Sequence, residues 1–387
     1  MTSPPDRGAL SILLVGDYPP DVTLGSPKVF YKLQAEFQSL GHRCDIMFGP
    51  EIGGPAFRQI RQLISPWRAG NAIVRRLEGG RYDVVDAASA EGLFFGILKK
   101  FAIYKQVAYI CRSNGLEQLN YRRMLDDARE GLSRKPWIRR WWYPASRLSQ
   151  VAAGAHLSDR LLLLNDRDRE YALEHGWQQP DCIDVIPHGV SNRFLEDDPG
   201  PEALRGEGLL FCGSWDQVKG THYLIDAFAR INAASPHQRL TVLGPGLPAA
   251  DVLNDFPAPL RHLVRVVDRA PEEDVIRALR SHDVLLWPST YEGFGLVLLE
   301  AMSQRLAVVA TPVGCAGTIV RDGENGLLVR ARDADALATA AIRLLNDAPL
   351  RRRLGNAARE AVAGMSWRAC AERTLQCYRA ALNGTAV

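Results

Sequence analysis

Twelve short apolar runs punctuate this chain, six in each half, and each gives way to sequence with helical period. In the first half they read SILLVG, RCDIMF, YDVVDA, QVAYICR, RLLLLN and CIDVIP. In the second they read GLLFCG, RLTVLG, LVRVVD, DVLLWPS, LAVVATP and NGLLV. Cores of four to six apolar residues with little polar alternation predict strands covered on both faces, which means parallel strands with helices packed on either side. The alternation of strand and helix predicts an α/β chain, and two sets of six predict two doubly wound parallel-sheet domains. At 387 residues the chain is also too long for one ordinary core. The join is expected at IPHGVSNRF, residues 186–194, where Pro and Gly break the pattern ahead of an acidic, Pro-rich loop. That gives domains over 1–188 and 189–369. Ligands of doubly wound sheets lie beyond the carboxyl ends of the strands, so a site in a cleft between two facing domains is expected.

Composition removes several classes of function. A formal net charge of +3 is too small to indicate a nucleic-acid partner. The seven cysteines stand singly, which argues for reduced thiols in a cytoplasm and against a disulfide framework or a zinc site. The opening MTSPPDRGALSILLVGDYPP reads as a first strand and not as a leader, and no apolar run is long enough to span a bilayer. A cytoplasmic protein is expected. One stretch, RKPWIRRWWYPASR at 134–147, interleaves cations with aromatics. It fits either an amphipathic helix packed on the first domain or a patch peripheral to the inner face of the plasma membrane.

Chemistry concentrates in two stretches of the second half. In LLFCGSWDQVKGTHYLIDAFARI, residues 209–231, a strand ends at Cys212, the chain turns on Gly213 and Ser214, and Lys219 stands just before a helix. A Lys there can reach a phosphate beside the N–H groups of a helix start. In WPSTYEGFGLVLLEAM, residues 287–302, Glu292 and Glu300 bracket Gly293, Phe294, Gly295 and Leu296. Along a helix such a step is roughly 12 Å of rise and about 80° of rotation. Between the acids lies a helix amino end, typically worth about 0.3–1 kcal/mol to an anion. An elongated ligand with hydroxyls at both ends and a negative middle fits, and a nucleotide-sugar is such a ligand.

Three motifs in this order, GSWDQVKG, PSTYEGFGLVLLEA and ATPVGCAGTIVRDGENGLLV, resemble the C-terminal domain of family 4 retaining glycosyltransferases, whose fold is GT-B with two Rossmann-like domains facing across a cleft. The first half resembles theirs in YPPDVTLGSPKVFYKLQAEFQSLGHRCDI, RYDVVDAAS and CIDVIPHGV. The resemblance implies a hexosyltransferase with no cofactor or metal. Its donor would be a UDP- or GDP-linked sugar, and its acceptor a glycan, a lipid-linked species or a small molecule. It implies that Glu300 binds the donor ribose, that Glu292 contacts the transferred sugar, and that Lys219 with the amides of Phe294 to Leu296 holds the diphosphate. Gly25 and Ser26 stand where relatives carry Gly-Gly near the donor, with Lys28 one turn on. Backbone around Arg269 would meet the base. The last helix, about 370–387, would cross back onto the first domain.

Two departures accompany the resemblance. Relatives read Gly-Arg-Leu where this chain has Gly213-Ser214-Trp215, which removes a cation. Many carry a His where this chain has Asn114, which cannot hold a proton at neutral pH. In the front-face mechanism proposed for the family, the leaving phosphate oxygen takes the acceptor proton, so Asn114 can serve by hydrogen bonding alone. Arg112 or Lys28 is expected to replace the lost cation, and Arg112, Glu117 and Lys28 are placed on the acceptor side. Asp166-Arg167-Asp168 superficially matches a metal-binding D-x-D, but Asn165 before it predicts a capped helix start. His188 is read as structural. Two alternatives remain open, a non-catalytic GT-B scaffold or partner protein and a GT-B sugar-nucleotide epimerase, and polysaccharide or glycoconjugate biosynthesis is the expected setting.

Overall fold

The computed structural model describes residues 8–22, 24–54, 58–132, 138–202 and 205–384. The chain forms two compact units, one running to His188 and resuming at Trp367, the other comprising Gly189–Ser366. Each is built on a six-stranded sheet in which every neighbouring pair is parallel.

The first sheet contains β1 (Ser11–Gly16), β2 (Arg43–Phe48), β3 (Val84–Ala88), β4 (Ala108–Arg112), β5 (Arg160–Leu163) and β6 (Ile183–Val185), in the order β2-β1-β3-β4-β5-β6. The second contains β7 (Leu209–Cys212), β8 (Leu240–Leu243), β9 (Val264–Val267), β10 (Val284–Trp287), β11 (Ala307–Ala310) and β12 (Leu327–Leu328), in the order β12-β11-β10-β7-β8-β9. All twelve apolar runs became strands. The central ones are buried along nearly their whole length, because helices cover both faces.

Two features fix where ligands can go. Strand order reverses between β1 and β3 in the first sheet and between β7 and β10 in the second. At such a reversal the flanking loops diverge to opposite faces and leave a crevice at the carboxyl edge.

The first unit is closed by the helix Trp367–Gly384, which packs on β4 and on the helix Gly25–Ser39. Its Tyr378 hydroxyl donates to Asp86, and Arg112 grips the same carboxylate through Nε at 3.0 Å to each oxygen. All three side chains are buried. At the foot of this helix His188 stacks on Trp367, with ring centroids 5.5 Å apart. Burial, with Arg112 nearby, pushes the imidazole pKa down to about 3, so His188 is neutral throughout the physiological range.

Candidate functional site

At the crevice of the second unit, two loops meet. After β7 the chain turns on Gly213, and the Ser214 hydroxyl donates to the Asp216 carboxylate at 2.7 Å. Asp216 in turn accepts from the amides of Val218 (2.9 Å) and Lys219 (3.3 Å), capping the one-turn helix Gln217–Lys219. Lys219 therefore ends a short turn, and the helix Thr221–Ala234 starts only after Gly220. Gly220 is left-handed, with φ 70°, and a Cβ there would lie 2.1 Å from the carbonyl oxygen of Pro288. The missing side chain lets the loop after β10 close onto this one, and the Thr290 amide bonds the Val218 carbonyl at 2.8 Å.

That second loop carries Glu292. Lys219 Nζ donates to Glu292 Oε1 at 2.6 Å, and Ser289 Oγ donates to the same oxygen at 2.8 Å. The Glu292 side chain is 9% exposed and that of Lys219 25%. Burial opposes the Lys219 charge, but the Glu292 carboxylate outweighs it and leaves the ammonium with a raised pKa. Behind the loop, the Cys315 amide donates to the Phe294 carbonyl at 2.7 Å. Gly314 lies so close that a Cβ would stand 2.7 Å from that of Glu292. The helix Leu296–Ser303 starts on left-handed Gly295, and no side chain caps its first turn, where the Leu298 amide bonds the Gly295 carbonyl at 3.0 Å. Glu300, 8% exposed, lies on this helix, with Gly293 and Leu296 half-buried at its mouth. Arg269 is exposed beyond β9, with Nη2 3.5 Å from the Cβ position of Gly246.

The first unit has a polar cluster at its own crevice. Asn114, beyond β4, donates through Nδ2 to the Tyr18 hydroxyl beyond β1 at 3.0 Å. Its Oδ1 is buried and accepts no hydrogen bond among the described residues. Arg147 binds Glu117 in a fork, at 3.0 Å from Nε and 2.8 Å from Nη2, and reaches Glu91 beyond β3 at 3.3 Å. Tyr143 donates to Glu117 at 2.8 Å. Burial raises the Glu91 carboxyl pKa against the pull of Arg147. Gly25 and Ser26 open the helix Gly25–Ser39, and Lys28 is half-buried one turn in. A Cβ on Gly25 would meet nothing within 4 Å, so packing does not itself demand glycine there.

Residues 206–347 match the family model described as glycosyl transferases group 1. The match lies wholly within the second unit. A D-inositol 3-phosphate glycosyltransferase of Frankia alni is 35% identical over 255 residues, 62% of this chain and 62% of that relative's length. The chain thus spans about three fifths of that relative. Among solved structures, the sucrose-phosphate synthase of Thermosynechococcus elongatus superposes with a TM-score of 0.77 at 20% identity, covering 97% of this chain and 100% of that one. Anabaena HepE, solved in complex with UDP, gives 0.69 at 15% identity, covering 96% and 100%. These likenesses establish the fold, GT-B, with its two doubly wound units.

In the second unit, the structure brings Lys219, Glu292, Gly293 and the helix start at Gly295 and Leu296 to one crevice. Neither acid plays an ordinary surface role, since Glu292 holds Lys219 and Glu300 is buried. Trp215 is core, its indole N–H bonded to Asp255 at 2.7 Å.

The expectation for Arg112 is overturned. Its guanidinium is fully buried and committed to Asp86, so it can neither replace the lost cation nor meet an acceptor. Of the stretch 134–147, residues 134–137 lie outside the described residues. Beyond them Tyr143 and Arg147 face inward to Glu117, whereas Trp141 is exposed. Asn165 caps the helix Asp166–Glu174 by accepting from the Asp168 amide at 2.9 Å.

Four participants were not anticipated: Tyr18, Glu91, Arg147 and Ser289. Tyr18, Glu91 and Ser289 each follow a strand within three residues, which was the available signal. Arg147 gave none.

Proposed function

We propose that this chain is a retaining, metal-independent glycosyltransferase that moves a sugar from a nucleoside diphosphate sugar to an acceptor hydroxyl. The observation that carries the reading is the meeting of Lys219, Glu292 and an uncapped helix start at the crevice between β7 and β10. The ammonium and the helix amino end supply positive potential where a diphosphate accumulates charge as it leaves, and two nearby acids can accept from sugar hydroxyls. Glu300 is assigned to the ribose and Glu292 to the transferred sugar. The leaving phosphate oxygen takes the acceptor proton as the new glycosidic bond forms on the same face, so Asn114 orients and does not titrate. Its unpartnered Oδ1 suits a sugar hydroxyl. Glu117 and Lys28 remain acceptor-side assignments, with Lys28 proposed to replace the missing cation.

A uridine donor is favoured by the likeness to HepE, whose structure holds UDP. Soluble glycan or lipid-linked acceptors both fit, in the setting of polysaccharide or glycoconjugate synthesis. The departures at Ser214 and Asn114 favour the non-catalytic alternative. Thermal-shift screening against UDP- and GDP-sugars separates them. A catalytic protein is stabilised by one donor and releases its nucleoside diphosphate when acceptor is added. No shift with any donor would falsify the assignment, and donor conversion without acceptor would identify an epimerase.

A further inference from the structure

Seven of the eight large hydrophobic side chains exposed among the described residues belong to the first unit, and most of them line up. On the helix Arg58–Gly79, Ile60, Leu63 and Trp67 follow at the i, i+3, i+7 spacing of one face, and all are exposed. The helix Leu93–Lys100 crosses this one at Gly70, where a Cβ would stand 2.3 Å from Phe94. At that crossing the Trp67 and Phe94 rings lie 5.0 Å apart. From Phe94 the same spacing leads through Ile97 to Phe101, which is 75% exposed, with Ile103 just beyond. The two stripes therefore join end to end, each roughly 10 Å long by helical rise. Trp141, at 76% exposure, sits three residues before the turn Pro144–Leu148, which packs on the first of these helices.

Charge along this segment is one-sided. Between residues 58 and 106, Arg68, Arg75, Arg81, Lys100 and Lys105 are exposed, whereas Glu78 is the one exposed acid among the described residues. Asp86 and Glu91 are buried against Arg112 and Arg147. Arg61, Arg76 and Lys99 are already spent on Asp17, Glu51 and Asp159.

We propose that this face docks on an anionic lipid bilayer. An apolar stripe with an exposed tryptophan, Trp67, and exposed cations on the same segment matches the interfacial zone of a membrane, where side chains enter the acyl boundary and arginines meet headgroup phosphates. It differs from the sequence-based expectation in its location: the docking elements are the helices Arg58–Gly79 and Leu93–Lys100, and Arg147 of the basic-aromatic stretch is not part of it.

The test is co-sedimentation of the full chain with phosphatidylcholine vesicles, with and without phosphatidylglycerol. Binding is expected only with the anionic lipid and to fall at least tenfold in molar salt. The variant I60S/L63S/F101S removes exposed side chains, and R75E/K100E reverses two charges. Each is expected to weaken binding at least tenfold while leaving the melting temperature and donor-induced shift unchanged. Equal binding to neutral vesicles, or anionic binding that survives both variants, would overturn the proposal. So would light scattering that shows a stable dimer dissociated by I60S/L63S/F101S in a protein that ignores vesicles, because a second copy of the chain would then own the face.

Discussion

Glu292 accepts both from Lys219 and from Ser289, so the two functions expected of the acid can be separated by substitution. Glu292→Gln keeps a hydrogen-bonding partner for Ser289 and is expected to fold. It removes the charge that positions Lys219, and turnover should fall by about 10²–10³, read as nucleoside diphosphate release. Lys219→Ala strands a mostly buried carboxylate and should in addition lose stability, by about 3 kcal/mol or more on breaking a buried pair. Asp168 allows a second residue-scale test. Burial pushes its pKa up to about 7, with Arg167 and Asn165 only partly opposing, and Oδ2 has no partner among the described residues. The folded chain thus holds this proton more tightly than the unfolded chain, whose carboxyl titrates near 4, so stability drains away as pH rises from about 4 to about 7. Asp168→Asn removes that dependence. Its melting temperature should gain on the parent steadily over that interval and stay level above about pH 8. A constant offset at all pH values would contradict the assignment.

Elements were the most legible level of this molecule. All twelve strands could be placed because an apolar run of four to six residues is a local signal that needs no knowledge of its partners. The helix start at Gly295 and the capped start at Asn165 were legible for the same reason. Contacts were not. Arg112 carries a charge, which ordinarily signals exposure, and only Asp86 and Tyr378, distant in sequence, explain why it is buried. The pairing of Lys219 with Glu292 depends likewise on β7 and β10 lying side by side, which sequence order does not reveal. Glycines give an element-scale prediction. Gly220→Ala would drive a Cβ into the Pro288 carbonyl at a left-handed position and should destabilise the chain by about 1–3 kcal/mol while loosening the loop that carries Glu292. Gly25→Ala meets open space and should leave stability unchanged. If donor affinity nevertheless falls in Gly25→Ala, measured by calorimetry, the glycine serves the ligand and not the fold.

At the scale of the whole molecule, the two units differ in how they use the chain. The second is continuous and has its own core from Leu209 to Leu354, so residues 189–366 expressed alone should unfold cooperatively in denaturant. The first is completed only by the helix from Trp367, and residues 1–188 alone would leave the Arg112–Asp86 pair without its cover and the apolar side of the helix Gly25–Ser39 bare. That fragment is expected to aggregate, and adding the 367–387 peptide in trans should raise its soluble yield. On the ribosome the same discontinuity sets an order of events. The earliest part of the chain emerges first but must wait for residues 189–366 to be translated, a delay on the order of ten seconds or more at roughly 5–20 residues per second. During that interval the nascent first unit presents an uncovered groove to water, and the domain that starts second finishes first.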